Sequence, residues 1–187
     1  MKNKEMDFFE VSLIGIALSM DAFAVSTTCG VNRKKAKIRS LLLVAFTFGS
    51  FQATMPIIGW LMGETAYDYI KDYSKWVAFG ILFSVGSKMI WDSISDKPSI
   101  ITFPMPAKTL IALAIATSLD ALAVGVSFAC IDSSIFVPSI IIGCITFIIS
   151  LIGIMLGGKI GDSAGDKFEI LGGIVLIGIG LKILFTS

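Results

Sequence analysis

Residues 16–25 read IALSMDAFAV, and residues 115–124 read IATSLDALAV. Seven of the ten positions are identical, and an aspartate stands at the same place in each copy: Asp21 and Asp120, 99 positions apart (120 − 21 = 99). Each copy sits at the centre of an apolar run long enough to cross a bilayer, for which about 20 residues suffice. A carboxylate at the membrane midplane costs about 2.5–3.5 kcal/mol on insertion scales, so two cost about 5–7 kcal/mol. Aspartate is too short to snorkel to the headgroups as Lys or Arg can. A bound cation or a proton would offset that cost, which points to a transporter. The plain alternative, polar residues gluing helices together, is more readily met by Asn, Gln or Ser.

Working outward from the motif, the 187 residues are 55% hydrophobic and 16% charged, against about 25% charged in an ordinary soluble domain. Six apolar runs read as spans, at about 11–31, 41–62, 76–94, 109–131, 137–156 and 170–185. They predict an all-α membrane protein with 1–187 as a single polytopic membrane domain, partnered by the lipid bilayer. A net charge of +1 argues against nucleic acid as a partner. The first run is not expected to be a removable signal peptide, because Lys2 and Lys4 mix with Glu5, Asp7 and Glu10 before it and the run is too long for such a segment. Cys29, Cys130 and Cys144 show no CxxC pairing and read as small buried hydrophobes. The chain has no histidine, which removes imidazole from any metal site, proton relay or catalytic triad.

The loop 32–39 carries Arg33, Lys34, Lys35, Lys37 and Arg39 and no acidic residue. The positive-inside rule places it in the cytoplasm and, by alternation over six spans, both termini outside. Ten Lys and Arg then lie inside and five outside. The duplication also runs beyond the aspartates. IGWLMG at 58–63 aligns with IGIMLG at 152–157, and KWVAFGILFSVGSKMI at 75–90 with EILGGIVLIGIGLKIL at 169–184, both at an offset of 94. The chain therefore reads as two three-helix units, repeat 1 over about 8–94 and repeat 2 over about 107–187. Three spans are odd, so the second unit enters the membrane from the opposite side. That is the inverted-topology construction of many secondary transporters, whose sites lie near midplane at the repeat interface.

On a helix Ala17, Asp21, Ala24 and Thr28 share one face, and Ala116, Asp120, Ala123 and Ser127 repeat it. Two carboxylates facing each other away from water repel if both are ionised, so the empty site is expected to keep a proton. A divalent cation reverses the preference and releases protons as it binds, the linkage that cation/proton exchange needs. The oxygen donors at hand are hard and suit Mg, Ca or Mn. Beside the aspartates these are Ser19 and Ser118, with Gln52 in the second span and its repeat counterpart Thr146. The metal-site candidates are thus Asp21, Asp120, Gln52, Ser19, Ser118 and Thr146. The two serines stand two residues before each aspartate, so they reach the site only through local unwinding or backbone oxygens. For them and for Gln52, interhelical hydrogen bonding is an equal alternative. Pro56 is expected to kink the second span, and Lys88 and Lys182 to snorkel from span ends.

The paired SMDAFAVS and TSLDALAVG motifs, FQATMPIIGW after the basic loop, and the closing EILGGIVLIGIGLKIL resemble the MntP family of manganese efflux pumps over nearly the whole chain. The resemblance implies a bacterial inner-membrane exporter of Mn(II) as transported substrate, within the LysE-type exporter group, with no prosthetic group and no enzymatic activity. The family's intramembrane aspartates carry over to Asp21 and Asp120. Some members place a glutamate where this chain has Gln52, so a mechanism needing a third carboxylate does not carry over directly. Two other readings stay open: a LysE-like exporter of another small solute, and an intramembrane aspartyl protease, which also uses two aspartates. The protease reading lacks a GxGD-type sequence, and an amino-acid cargo would call for a buried Arg or Lys between the aspartates. A homo-oligomer is compatible with all three.

Overall fold

An apolar segment with no water to satisfy its backbone N–H and C=O groups has little choice but to bond to itself as a helix. The structure, a computed structural model, describes residues 7–31, 38–70, 73–94, 106–131, 133–160 and 163–185. These form α1 (Phe8–Leu18), α2 (Met20–Val31), α3 (Ile38–Ile70), α4 (Ser74–Ile94), α5 (Ala107–Cys130), α6 (Phe136–Ile160) and α7 (Ser163–Phe185), with no strand among them. All six expected apolar runs fall on helices. Within the described residues Ile38–Thr65, Ala107–Cys130 and Phe136–Gly157 are each long and apolar enough to cross a membrane. The pair α1 and α2 adds a fourth candidate, bent by 41° at its break. Ile170–Phe185 is a shorter apolar helix, and α4 is not among the candidates. Most of the basic 32–39 loop, residues 32–37, lies outside the described residues.

The apolar side chains are not confined to an interior. Phe46, Ile140, Met155, Leu171 and Ile174 all point outward and are more than half exposed. In water that surface would drive association, whereas lipid tails solvate it without penalty. The arrangement fits a multi-pass membrane protein.

Because the hydrophobic effect does not hold helices together in lipid, packing must, and small residues govern where it is closest. The most extensive contacts join α3 to α5 and α6, α4 to α7, and α2 to α6. At the α3–α5 crossing the backbones nearly touch: a Cβ on Gly59 would lie 1.9 Å from the Leu122 carbonyl oxygen, and one on Gly125 2.1 Å from that of Pro56. Gly49 meets Gly143 between α3 and α6, and Gly86 meets Gly173 between α4 and α7. Pro56 sits inside α3, where its missing N–H leaves the Gln52 carbonyl without its helical donor. Trp60 donates its indole N–H to the Ser133 carbonyl at 3.0 Å, tying α3 to the residues that precede α6. At that end a cavity of about 290 Å³ lies between Phe8 and Val11 of α1 and Ser133, Val137 and Ile141. Neither aspartate lines it.

Candidate metal site

The first aspartate follows a break in its span. The span bends by 41° where α1 meets α2 at Ser19, although the Ser19 N–H still donates to the Gly15 carbonyl at 3.1 Å and its carbonyl accepts from the Phe23 N–H at 2.8 Å. Two neighbouring carbonyls take additional donors. Ile16 accepts from both the Ser19 backbone N–H at 3.2 Å and the Ser19 hydroxyl at 2.7 Å. Back-bonding of this kind bends helices. Leu18 accepts from the side-chain amide of Gln52, on α3, at 2.9 Å. The acceptor is a carbonyl, so the NH₂ end of Gln52 faces it and the side-chain oxygen points elsewhere. Gln52 is 1% exposed, and its own backbone carbonyl has been released by Pro56. Asp21 stands three residues past Leu18, in the first turn of α2 and partly buried. The Gln52 amide thus reaches the bend that precedes Asp21, at the turn that holds Ser19.

The second aspartate lies in a different setting. Helix α5 runs unbroken through Ser118, whose hydroxyl bonds back to the Ile115 carbonyl at 3.1 Å. The Thr146 hydroxyl is likewise turned to its own helix, onto the Ile142 carbonyl at 2.9 Å. Ser19 thus stands at a bend, with its backbone still bonded helically to Gly15 and Phe23, and Ser118 in an unbroken helix. Asp120 is 5% exposed. Its Oδ1 accepts from the Lys88 ammonium of α4 at 3.1 Å, and its Oδ2 is buried with no hydrogen-bond partner among the described residues. Lys88 does not simply snorkel from a span end; it turns to a buried carboxylate of α5. A signal was present in its position, six residues inside the end of the 76–94 run. Its side chain is 53% exposed. A cation does stand beside one of the two aspartates, a feature an anionic cargo would call for. Lys182 also pairs, with Glu10 at the start of α1.

Two smaller expectations need correction. The matched small-residue faces are not equivalently placed, because Ala17 is buried and Ala116 exposed; the bend at Ser19 separates the two settings. Cys29 and Cys130 are buried, but Cys144 is exposed on α6. Among the described residues no three His, Cys, Asp or Glu side chains cluster in a way that could hold a metal. A cation here would have to combine carboxylate with neutral oxygens, as hard divalent ions accept.

Comparison with known proteins gives a consistent result. A family model described as "Putative manganese efflux pump" matches residues 35–184. A protein of Methanosarcina mazei named "Putative manganese efflux pump MntP" is 45% identical over 179 residues, 96% of both chains. A protein of the same name from Methanosphaera stadtmanae is 47% identical over 174 residues, 93% of this chain and 97% of its own. Another from Syntrophotalea carbinolica is 45% identical over 182 residues, 96% of this chain and 97% of its own. No solved structure matches. The relatives match over nearly the full length of the chain and the family model over most of it, and the chain belongs to the MntP family.

Proposed function

We propose that this chain is a secondary transporter that exports Mn(II) from the cytoplasm through a site shared by Asp21 and Asp120, in exchange for protons. The observation that carries this reading is Asp120, a nine-tenths-buried carboxylate in mid-helix with one oxygen unpartnered among the described residues. An ionisable group in that position is expensive and persists where it serves a pathway. Gln52, Ser19 and the carbonyls at the α1–α2 break supply neutral oxygens nearest Asp21, and Ser118 and Thr146 support the second half from within their own helices. Manganese and the outward direction follow from the names of the relatives.

The reading includes six spans in one domain, built as inverted repeats over about 8–94 and 107–187, with both termini outside and loop 32–39 cytoplasmic. Packing supports the repeat. Gly49 and Gly143 touch each other and are 94 positions apart. Gly59 meets Leu122, and the residues offset from them by 94 and 99, Gly153 and Phe23, also meet. Contacts that map onto one another in this way are what a pseudo-two-fold axis produces.

Metal flux into vesicles, with expression matched, tests the site. Asn keeps the size and hydrogen bonding of Asp but removes the charge and the titratable group. Asp21→Asn and Asp120→Asn are expected to abolish Mn(II) flux and its proton counterflow. The double variant is expected to be little worse, since groups acting as a unit are non-additive. Near-normal coupled flux in either single variant refutes the shared site.

A further inference from the structure

We infer that the Lys88 ammonium is a tethered cation that holds the cation position on Asp120 until a metal ion displaces it. This rests on the reading of Asp120 as a transport carboxylate and adds a residue to it. A buried charge is costly without a partner of opposite sign, and breaking such a pair leaves it uncompensated. Lys88 supplies that partner from a different helix, α4 against α5, at 3.1 Å from Oδ1. Lysine suits an exchangeable role. It is a point charge on a flexible four-carbon stem, and here the side chain is about half exposed, so it can withdraw without dismantling a packed core. The second carboxylate oxygen, Oδ2, is buried and unpartnered among the described residues, which leaves an acceptor for the incoming ion. A divalent cation at Asp120 and an ammonium 3.1 Å from the same carboxylate would repel strongly. Occupancy by one therefore excludes the other.

The pairing is also repeated in the architecture. Lys182 lies 94 positions after Lys88, and it too reaches the first span of the opposite half, where it takes Glu10. Both lysines thus bind a carboxylate across the interface between halves, at different depths. An internal cation of this kind weakens metal binding at equilibrium and helps metal leave on the far side. Its signature is a change in affinity opposed to the change in turnover.

The test uses full-length protein, with Mn(II) binding measured by calorimetry in detergent and Mn(II) flux measured in proteoliposomes. A charge-assisted hydrogen bond that no longer competes corresponds to roughly tenfold or more in affinity. Lys88→Gln is expected to bind Mn(II) about that much more tightly, with KM falling and the maximal rate falling with it. Lys88→Arg keeps the pair with a better-matched fork and is expected to bind Mn(II) no more tightly than the unaltered protein. A structural role for Lys88 would instead lower the maximal rate at constant KM, or weaken binding, and either result overturns the inference. If Lys88→Gln fails to insert, Lys88→Arg decides: tighter Mn(II) binding in that variant contradicts competition, and equal or weaker binding with KM unchanged or raised supports it. Asp120→Asn in the same assay separates the two levels. Intact flux there removes the transport reading itself, whereas lost flux with an unmoved KM in Lys88→Gln removes only the tethered cation.

Discussion

A single methyl group at Gly59 or Gly125 should separate α3 from α5. Cβ atoms essentially never come closer than 3.0 Å to a neighbouring heavy atom, yet alanine at 59 would place one 1.9 Å from the Leu122 carbonyl oxygen, and alanine at 125 one 2.1 Å from that of Pro56. Relief needs displacements of at least 1.1 Å (3.0 − 1.9) and 0.9 Å (3.0 − 2.1). The obstacle in each case is helical backbone, so no side chain can swing aside. Overpacking of this kind costs about 1–3 kcal/mol, occasionally more, and the better helix propensity of Ala returns only about 1 kcal/mol. Gly80 and Gly178 provide internal controls, because nothing lies within 4 Å of a Cβ built on either. Thermal unfolding of purified protein in one detergent, read by tryptophan fluorescence, makes the comparison. Gly59→Ala and Gly125→Ala should melt several degrees below the parent, and Gly80→Ala and Gly178→Ala at or slightly above it. If all four melt together, the close α3–α5 crossing is not how the protein packs.

Other outcomes follow from single contacts. Gln52→Ala removes the donor to the buried Leu18 carbonyl and should cost about 1–3 kcal/mol in the same melt, with reduced Mn(II) flux; parental stability would mean that the bond does not brace the break. A single cysteine at position 35, in protein lacking Cys29, Cys130 and Cys144, should resist an impermeant reagent added outside intact cells and react in inverted vesicles. Labelling from outside would reverse the assigned topology.

Helix positions were legible because a bilayer leaves an apolar run one way to satisfy its backbone, and every expected run is helical. Their lengths were less so: α3 continues to Ile70, past the apolar run that ends near 62, since polarity marks where lipid contact ends and not where backbone bonding does. At the site, the aspartates and Gln52 could be named from type and repeat position, and the Gln52 amide does reach the Asp21 segment. Its partner, the Leu18 carbonyl, could not be named, because main-chain acceptors look alike in a sequence until a helix breaks. Lys88 was visible as a residue and obscure as a contact. Its reach to Asp120 depends on how α4 lies against α5, a tertiary fact that periodicity does not encode.

That near-identical motifs produce a bent span in one half and a straight helix in the other has a cause outside the motifs. Both carry a serine two residues before the aspartate, and both serines bond back to the carbonyl three residues earlier. Serine back-bonding alone therefore does not break the helix. The difference lies in the neighbour at matching repeat positions. Gln52 is long enough to span from α3 to the Leu18 carbonyl, whereas Thr146 is short and spends its hydroxyl on Ile142 within α6. A helix bends where a side chain inserts beside its ladder, and the Gln52 amide does so at the Leu18 carbonyl. Pro56, which frees a further carbonyl beside it, is replaced at the corresponding position by Ser150, with a full set of backbone groups. The two aspartate segments thus differ in their neighbours: a glutamine amide on the carbonyl before Asp21, and a lysine held against Asp120.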